Sequence, residues 1–219
     1  MNRPDAIMTI YKPLIKRVAV TTLLDRKRNI LEDEQGRFTK TDIKLILSKT
    51  WEEYGSLKTE IPKFQTLGNQ MNAQLACLTL SCWNIMKQMK IDPSYSLELI
   101  SDLAWSIYRK WSWIVKMIAR MQAPGDTERL RTAVRTFLKF PFSSPGYEIE
   151  VQITPEGINL DVKKCMVAEY FQQYEAQDLC VKVWCNQDFA MAEMWGGKLE
   201  RTTTLAEGCE QCEFRFKLE

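Results

Sequence analysis

The sequence contains no histidine among its 219 residues. Histidine is the commonest metal ligand in proteins and the usual general base near neutral pH. Its absence excludes a histidine-based catalytic pair and every metal site that needs an imidazole ligand. Catalysis by this chain must therefore use cysteine, a carboxylate, lysine, tyrosine or an ordered water molecule.

The sequence also lacks a strong net charge and a long apolar run. It carries 30 basic and 28 acidic residues, a net charge of +2, which gives no electrostatic reason to expect binding to nucleic acid or to an anionic membrane surface. No stretch approaches the roughly 18 consecutive apolar residues of a membrane span. Charged residues interrupt the first thirty positions, so no secretory signal is expected. We therefore expect a cytoplasmic protein, and a homodimer is compatible with the sequence.

Hydrophobic residues make up 45% of the chain and charged residues 26%, which is ordinary for a globular protein. The period of the hydrophobic pattern changes near residue 140. We predict a mainly helical region over residues 1–140 and a cysteine-rich α+β region over residues 141–219. No long flexible linker separates them, so we expect one integrated domain.

In the first region, apolar residues recur at helical spacing. This pattern predicts helices over residues 5–35, 63–90 and 94–122, one that begins near Thr39 or Thr41, and a short one from Asp126 to Leu138. Pro13 is expected to kink or restart the first of them. Trp105, Tyr108 and Trp111 share one helix face, whereas Trp113 points elsewhere and is available to a partner or a pocket.

In the second region, Tyr147, Ile149, Val151 and Ile153 alternate with polar residues, which predicts a half-buried strand. A turn at residues 155–157 and a second apolar run complete a hairpin. Helices are predicted over residues 166–176 and 178–195, and strands over 198–205 and 213–218. The predicted fold class is α+β: a helical N-terminal half followed by a small antiparallel sheet with packed helices.

Five of the seven cysteines lie near predicted helix ends and turns: Cys165, Cys180, Cys185, Cys209 and Cys212. Such positions can lower the pKa of a thiol and make it nucleophilic. Cys77 and Cys82 lie in an apolar helix and are expected to be buried as small hydrophobic residues. Cys180, Cys185, Cys209 and Cys212 leave a four-thiolate zinc site open as an alternative, although their spacing is looser than that of most structural zinc sites.

Cys185 and Asp188 are three positions apart, so a helix would place the thiol and the carboxyl on one face. That arrangement fits a nucleophile and a group that moves protons or orients water. An exposed acid beside a buried cysteine has the same spacing. Arg201 could hold a substrate carboxylate through two hydrogen bonds, or form an ordinary cross-strand ion pair.

The order of short motifs in the C-terminal region resembles that of the L-2-amino-thiazoline-4-carboxylic acid hydrolase family. The motifs are Cys165, Tyr170-Phe171, Cys185-Asn186-Gln187-Asp188, Ala192-Glu193, the string from Leu199 to Gly208 that includes Thr204-Leu205-Ala206-Glu207-Gly208, and Cys212-Glu213-Phe214-Arg215-Phe216. The resemblance covers about the last seventy residues well and the preceding helices more loosely. At position 209 this chain has cysteine, where the family often has a small or acidic residue.

The resemblance implies a hydrolase that opens a small cyclic substrate at a C–N or C=N bond. It implies Cys185 as the nucleophile, Asp188 as the base or water-orienting group, and Arg201 as the contact for a substrate carboxylate. The remaining residues implied to line the site are Cys165, Glu193, Glu207 and Cys212. No cofactor and no metal are expected.

The same order of elements is similar to that of small-molecule sensor domains of the 4-vinyl reductase type, which leaves a non-catalytic binding protein as the alternative. A hydrolase predicts an ionised, water-accessible Cys185 or Asp188 in a polar pocket. A sensor predicts a mostly apolar cavity and a dimer surface.

Overall fold

A computed structural model describes residues 3–29 and 36–218, with side chains from residue 7 onward. The chain divides into two compact units, one of Met1–Lys63 with Ala73–Ile107 and the other of Phe64–Asn72 with Tyr108–Glu219. The division predicted at residue 140 stays a prediction.

The first unit is helical. Its elements are α1 (Arg3–Leu23), α2 (Lys40–Leu57), a short 3-10 helix (Lys58–Glu60), most of α3 (Leu67–Gln88) and the first half of α4 (Pro93–Gln122). The Thr39 side chain and the Asp42 side chain each bond the other's backbone N–H, which starts α2 with a capping box. Apolar residues of α1, α2 and α4, such as Leu23, Ile46 and Leu99, form the core of this unit.

The second unit contains a four-stranded antiparallel sheet in the order β1-β2-β4-β3. The strands are β1 (Tyr147–Thr154), β2 (Gly157–Cys165), β3 (Gly197–Arg201) and β4 (Cys212–Leu218). Helix α5 (Asp126–Lys139) packs on β2 and β4. The connection between β2 and β3 holds α6 (Met166–Gln173), α7 (Gln177–Cys180), a π-helical turn (Val181–Cys185) and α8 (Gln187–Met194). The predicted α+β fold class, helices first and an antiparallel sheet after them, is confirmed.

The β1–β2 hairpin is fixed by its turn and by α5. The Gly157 N–H donates to the Thr154 side chain at 3.1 Å, which closes the turn. Arg131 of α5 donates from Nε to the Gly157 carbonyl at 3.0 Å and from Nη2 to the Pro155 carbonyl at 3.2 Å. The helix therefore anchors the end of the sheet where β2 begins.

Two predicted element boundaries are wrong, and α1 does not restart at Pro13. The first helix ends at Leu23 and not at residue 35, because Asp25 adopts a left-handed conformation and Lys27 forms a β-bridge with Arg37; residues 30–35 lie outside the described part. Pro13 lies inside α1, which continues through it without a restart. The strand predicted over 198–205 stops at Arg201, because the Thr204 side chain accepts from the Ala206 N–H and starts a 3-10 helix.

Strand β1 is less buried than its alternating pattern predicts. Tyr147 is buried, but Val151 and Ile153 remain 48% and 43% exposed. β1 is an edge strand, and the packing of α5 reaches β2 and β4. None of the described helices combines the length and the apolar character that crossing a membrane requires.

Candidate functional site

The second unit encloses a cavity with a volume of about 110 Å³ open to the centres of water molecules. Side chains from β1, β2, β4, α4, α5 and the 180–188 segment form its wall, and most of them are apolar. The aromatic ones are Tyr108, Phe137, Phe142, Tyr147, Trp184, Phe214 and Phe216. The wall also holds Asp188 and four thiols, from Cys165, Cys180, Cys185 and Cys212. The cavity is therefore an apolar chamber with sulfur and carboxyl groups on its wall.

Cys185 reaches the wall because the chain forms a π-helical turn. The Asn186 N–H bonds the Val181 carbonyl at 2.9 Å, five residues back, so residues five apart are stacked along the axis. Cys180 and Cys185 are five apart, and their thiols form a hydrogen bond to each other. The helix predicted over residues 178–195 is therefore wrong as a single α-helix, since this turn interrupts it.

The Thr204 hydroxyl links two of the thiols. Cys212 Sγ lies 3.5 Å from Thr204 Oγ1, which in turn lies 3.9 Å from Cys185 Sγ. The Leu205 N–H donates to Cys212 Sγ at 3.1 Å. Thr204 was not predicted as a site residue. Its place in the string from Leu199 to Gly208 was the available signal.

Arg201 lies next to the 185–188 turn and not on the cavity wall. Its Nη1 donates to the Cys185 carbonyl at 2.6 Å, and its Nη2 donates to the Asn186 side-chain oxygen at 2.9 Å. Asp188 Oδ2 is 3.8 Å from the same Nη1, and the arginine side chain is only 6% exposed. The predicted substrate-carboxylate contact stays a prediction, and these bonds give Arg201 a position that supports the turn.

The surroundings shift the two ionisable groups in opposite directions. The pKa of the Cys185 thiol is lowered, first by the hydrogen bond from Cys180 and then by the Arg201 charge and the Thr204 hydroxyl, against the opposing effect of burial. The pKa of Asp188 is raised to about 8, chiefly by burial, with a further contribution from the charge of Cys185. Both groups therefore titrate nearer to neutral pH than an isolated thiol or carboxyl does.

The other wall thiols are held protonated. Burial raises the pKa of Cys165 to about 12, and burial also raises the pKa of Cys212. The pKa of Cys180 is raised because its thiol proton is engaged by Cys185. Among the wall cysteines, Cys185 is thus the one whose surroundings favour the nucleophilic thiolate.

The predicted site residues separate into two groups. Cys165, Cys185, Asp188 and Cys212 meet at the cavity, whereas the Glu193 and Glu207 side chains are exposed and do not line it. All seven cysteines are free thiols. Over residues 3–29 and 36–218, no three cysteine or acidic side chains are grouped so that they could hold a metal ion. The described structure therefore does not assemble the four-thiolate zinc site left open by the sequence.

The fold and the cavity define an α+β protein with a thiol-bearing apolar chamber. Within this class, residues 113–216 match the family described as L-2-amino-thiazoline-4-carboxylic acid hydrolase, and the resemblance predicted from the C-terminal motifs is confirmed. The match spans the last third of α4, α5, strands β1 to β3, most of β4 and the 180–188 segment.

Comparison with curated proteins found no match. Among solved structures, the crystal structure of an H-NOX protein from S. oneidensis in the Fe(II)NO ligation state is similar over 82% of this chain and 93% of its own. Its sequence identity is 12% and its TM-score is 0.41.

Proposed function

We propose that this protein hydrolyses a C–N or C=N bond of a small cyclic substrate held in the cavity, with Cys185 as the nucleophile and Asp188 as the proton donor and acceptor. The observation that carries the proposal is the pairing of these two groups on one cavity wall with pKa values shifted in opposite directions. The family match over residues 113–216 supports a hydrolase of this kind.

In the proposed reaction, the Cys185 thiolate adds to the carbon of the substrate C=N bond. The new C–S bond pushes the π electrons onto nitrogen, which takes the proton of the Asp188 carboxylic acid. A nitrogen lone pair then re-forms the C=N bond and expels the ring heteroatom, which leaves with the electrons of the broken bond and opens the ring. The Asp188 carboxylate next accepts a proton from a water molecule, whose oxygen adds to the same carbon. Collapse of this intermediate to a C=O bond releases the Cys185 thiolate, and the remaining hydroxyl proton passes to the expelled heteroatom.

The electrostatic arrangement suits this sequence of steps. A thiol with a lowered pKa attacks at neutral pH, and a carboxyl with a raised pKa still carries the proton that the nitrogen needs. Arg201 keeps the Cys185 carbonyl and the Asn186 side chain in place through two hydrogen bonds. The nucleophile is therefore held before the substrate arrives.

The test is turnover of cyclic amidines by the purified protein and by two cysteine variants. Cys185→Ser should lower kcat by at least about 100-fold, because a serine hydroxyl is not ionised near neutral pH. Cys209→Ser is the matched control, since Cys209 lies in the connection between β3 and β4 and does not line the cavity, and it should retain turnover. Unchanged turnover in Cys185→Ser would reject the cysteine mechanism.

A second candidate function is binding without turnover, as in a small-molecule sensor. The specific observation that favours it is the predominantly apolar and aromatic cavity wall. This candidate predicts saturable binding of a small apolar ring, no product, and full binding by Cys185→Ser. A homodimer, which the sensor reading also expects, stays a prediction.

A further inference from the structure

We infer that the natural ligand of this cavity is a small ring compound without any anionic group. The inference deepens the proposed function, because it names the chemical class of the substrate for the same site. It departs from a carboxylate-bearing substrate such as the one in the family's description.

The first reason is the charge that the wall can carry. In the described part of the chain, no lysine or arginine lines the cavity. The ionisable groups that do line it are tyrosines, thiols and Asp188, and each of these becomes negative or stays neutral as it titrates. A ligand carboxylate would therefore face neutral or negative groups alone.

The second reason is that Arg201, which lies beside the 185–188 turn, already has hydrogen-bond partners. Arg201 donates to the Cys185 carbonyl and the Asn186 side chain and lies 3.8 Å from Asp188. Its guanidinium is 4.9 Å from the centre of the Phe189 ring and 5.7 Å from that of Phe214. Turning it toward a ligand would break the bonds that hold the Cys185 turn.

The third reason is that the wall, as the described residues form it, offers a neutral hydrogen-bond donor and aromatic faces, and no cation, to a ligand. The indole N–H of Trp184, a wall residue, is buried without a hydrogen-bond partner. A neutral acceptor on a ligand would satisfy this donor, whereas one neutral donor does not compensate a buried carboxylate. Aromatic faces favour a flat ring and accept a protonated amidine through cation–π contact.

The experiment compares two compounds that differ by one carboxylate: 2-amino-2-thiazoline and 2-amino-thiazoline-4-carboxylate. Each is titrated into the wild-type protein at pH 7 by calorimetry. The compound without the carboxylate should bind at least about 10-fold more tightly, because a buried unpaired charge is disfavoured. Equal affinity, or tighter binding of the carboxylate, would overturn the inference.

Two variants locate the binding. Val162→Phe places a larger side chain on the cavity wall and should abolish binding, whereas Gln177→Ala, on an exposed residue of α7 that does not line the cavity, should leave it unchanged. Equal loss in both variants would overturn the assignment to this cavity. If Val162→Phe fails to fold, the comparison of the two compounds on the wild-type protein still decides whether the cavity disfavours a ligand with an anionic group.

The outcomes separate this inference from the proposed function. Selective binding of 2-amino-2-thiazoline with no product from either compound would support a ligand without an anionic group and reject hydrolysis of these rings. Turnover of 2-amino-thiazoline-4-carboxylate with efficiency equal to or greater than that of 2-amino-2-thiazoline would support hydrolysis and reject the inference that the ligand carries no anionic group.

Discussion

Asp188 illustrates how one residue couples the cavity to the stability of the fold. Its side chain is 22% exposed and stands beside a thiol and an arginine. The burial that raises its pKa to about 8 acts on the folded chain only, since an unfolded aspartate keeps its ordinary value of 3.8. The protonation of this one carboxyl therefore enters the free energy of unfolding.

Between pH 4 and pH 8 the folded protein keeps a proton on Asp188 that the unfolded chain releases. The stabilisation from this proton is present in full below the unfolded pKa and is lost as pH rises through the folded value. The asparagine in Asp188→Asn is neutral at every pH, so the stability of this variant should not fall through ionisation at position 188. The variant should gain about 1–3 kcal/mol relative to wild type between pH 4 and pH 8, measured by urea unfolding.

Asp126→Asn provides the comparison, because it removes a carboxylate from the exposed start of α5, outside the cavity. The stability gain of Asp188→Asn is judged against the change that Asp126→Asn shows. A difference from wild type that does not vary with pH for Asp188→Asn would show that burial does not shift this carboxyl.

At the level of single residues, the sequence predicted part of the site. The three-residue spacing placed Cys185 and Asp188 together, because helical geometry is local. It could not place Arg201, since the contact between the end of β3 and the 185–188 turn depends on how α8 and the sheet pack. Nor could it exclude Glu193 and Glu207, whose exposure is a property of the folded surface.

At the level of the elements, the pairing of β2 with β4 requires the backbone at Gly157 to lie very close to the backbone at Phe216. A Cβ atom at Gly157 would lie 1.9 Å from the Phe216 carbonyl oxygen on the neighbouring strand. A helix position provides the contrast, because a Cβ at Gly55 in α2 would meet no atom within 4 Å.

The two glycines should therefore respond to alanine with opposite signs. Gly157→Ala should destabilise the protein by about 1–3 kcal/mol, because the β2–β4 pairing must shift to make room. Gly55→Ala should stabilise it by about 0.5–1 kcal/mol, because alanine loses less backbone entropy in a helix. Urea unfolding measures both, and the same sign for both variants would contradict the explanation.

The elements that the sequence predicted best are those set by local periodicity. Helices α3, α4 and α5 and the hairpin of Tyr147–Thr154 with Gly157–Cys165 follow the predicted apolar spacing. The π-helical turn at Val181–Cys185 differs from an α-helix by one residue in its hydrogen bonding, which periodicity alone does not resolve. The exposure of Val151 depends on how far α5 covers the sheet, which is a matter of tertiary packing.

For the whole molecule, the cavity wall is built from one compact unit. Every residue that lines it belongs to the segment Tyr108–Glu219. Ligand binding stabilises the state that contains the cavity and suppresses the local opening that permits amide exchange.

Saturation with a ring ligand should therefore slow hydrogen exchange in β1, β2, β4 and the 180–188 segment. Helices α1 and α2, which contribute no residue to the wall, should show little change. Mass spectrometry of peptides after exchange, with Val162→Phe as the unliganded reference, measures this pattern. Protection confined to α1 and α2 would place the ligand elsewhere.

The pairing of Cys185 with Asp188 has a calorimetric consequence in a chain without histidine. The pKa values of Cys185 and Asp188 are both displaced toward neutrality. A ligand that changes the ionisation of either group will exchange protons with the buffer. The binding heat at pH 7 will then depend on the buffer's own enthalpy of ionisation, and its slope across several buffers will count the protons that the pair takes up or gives away.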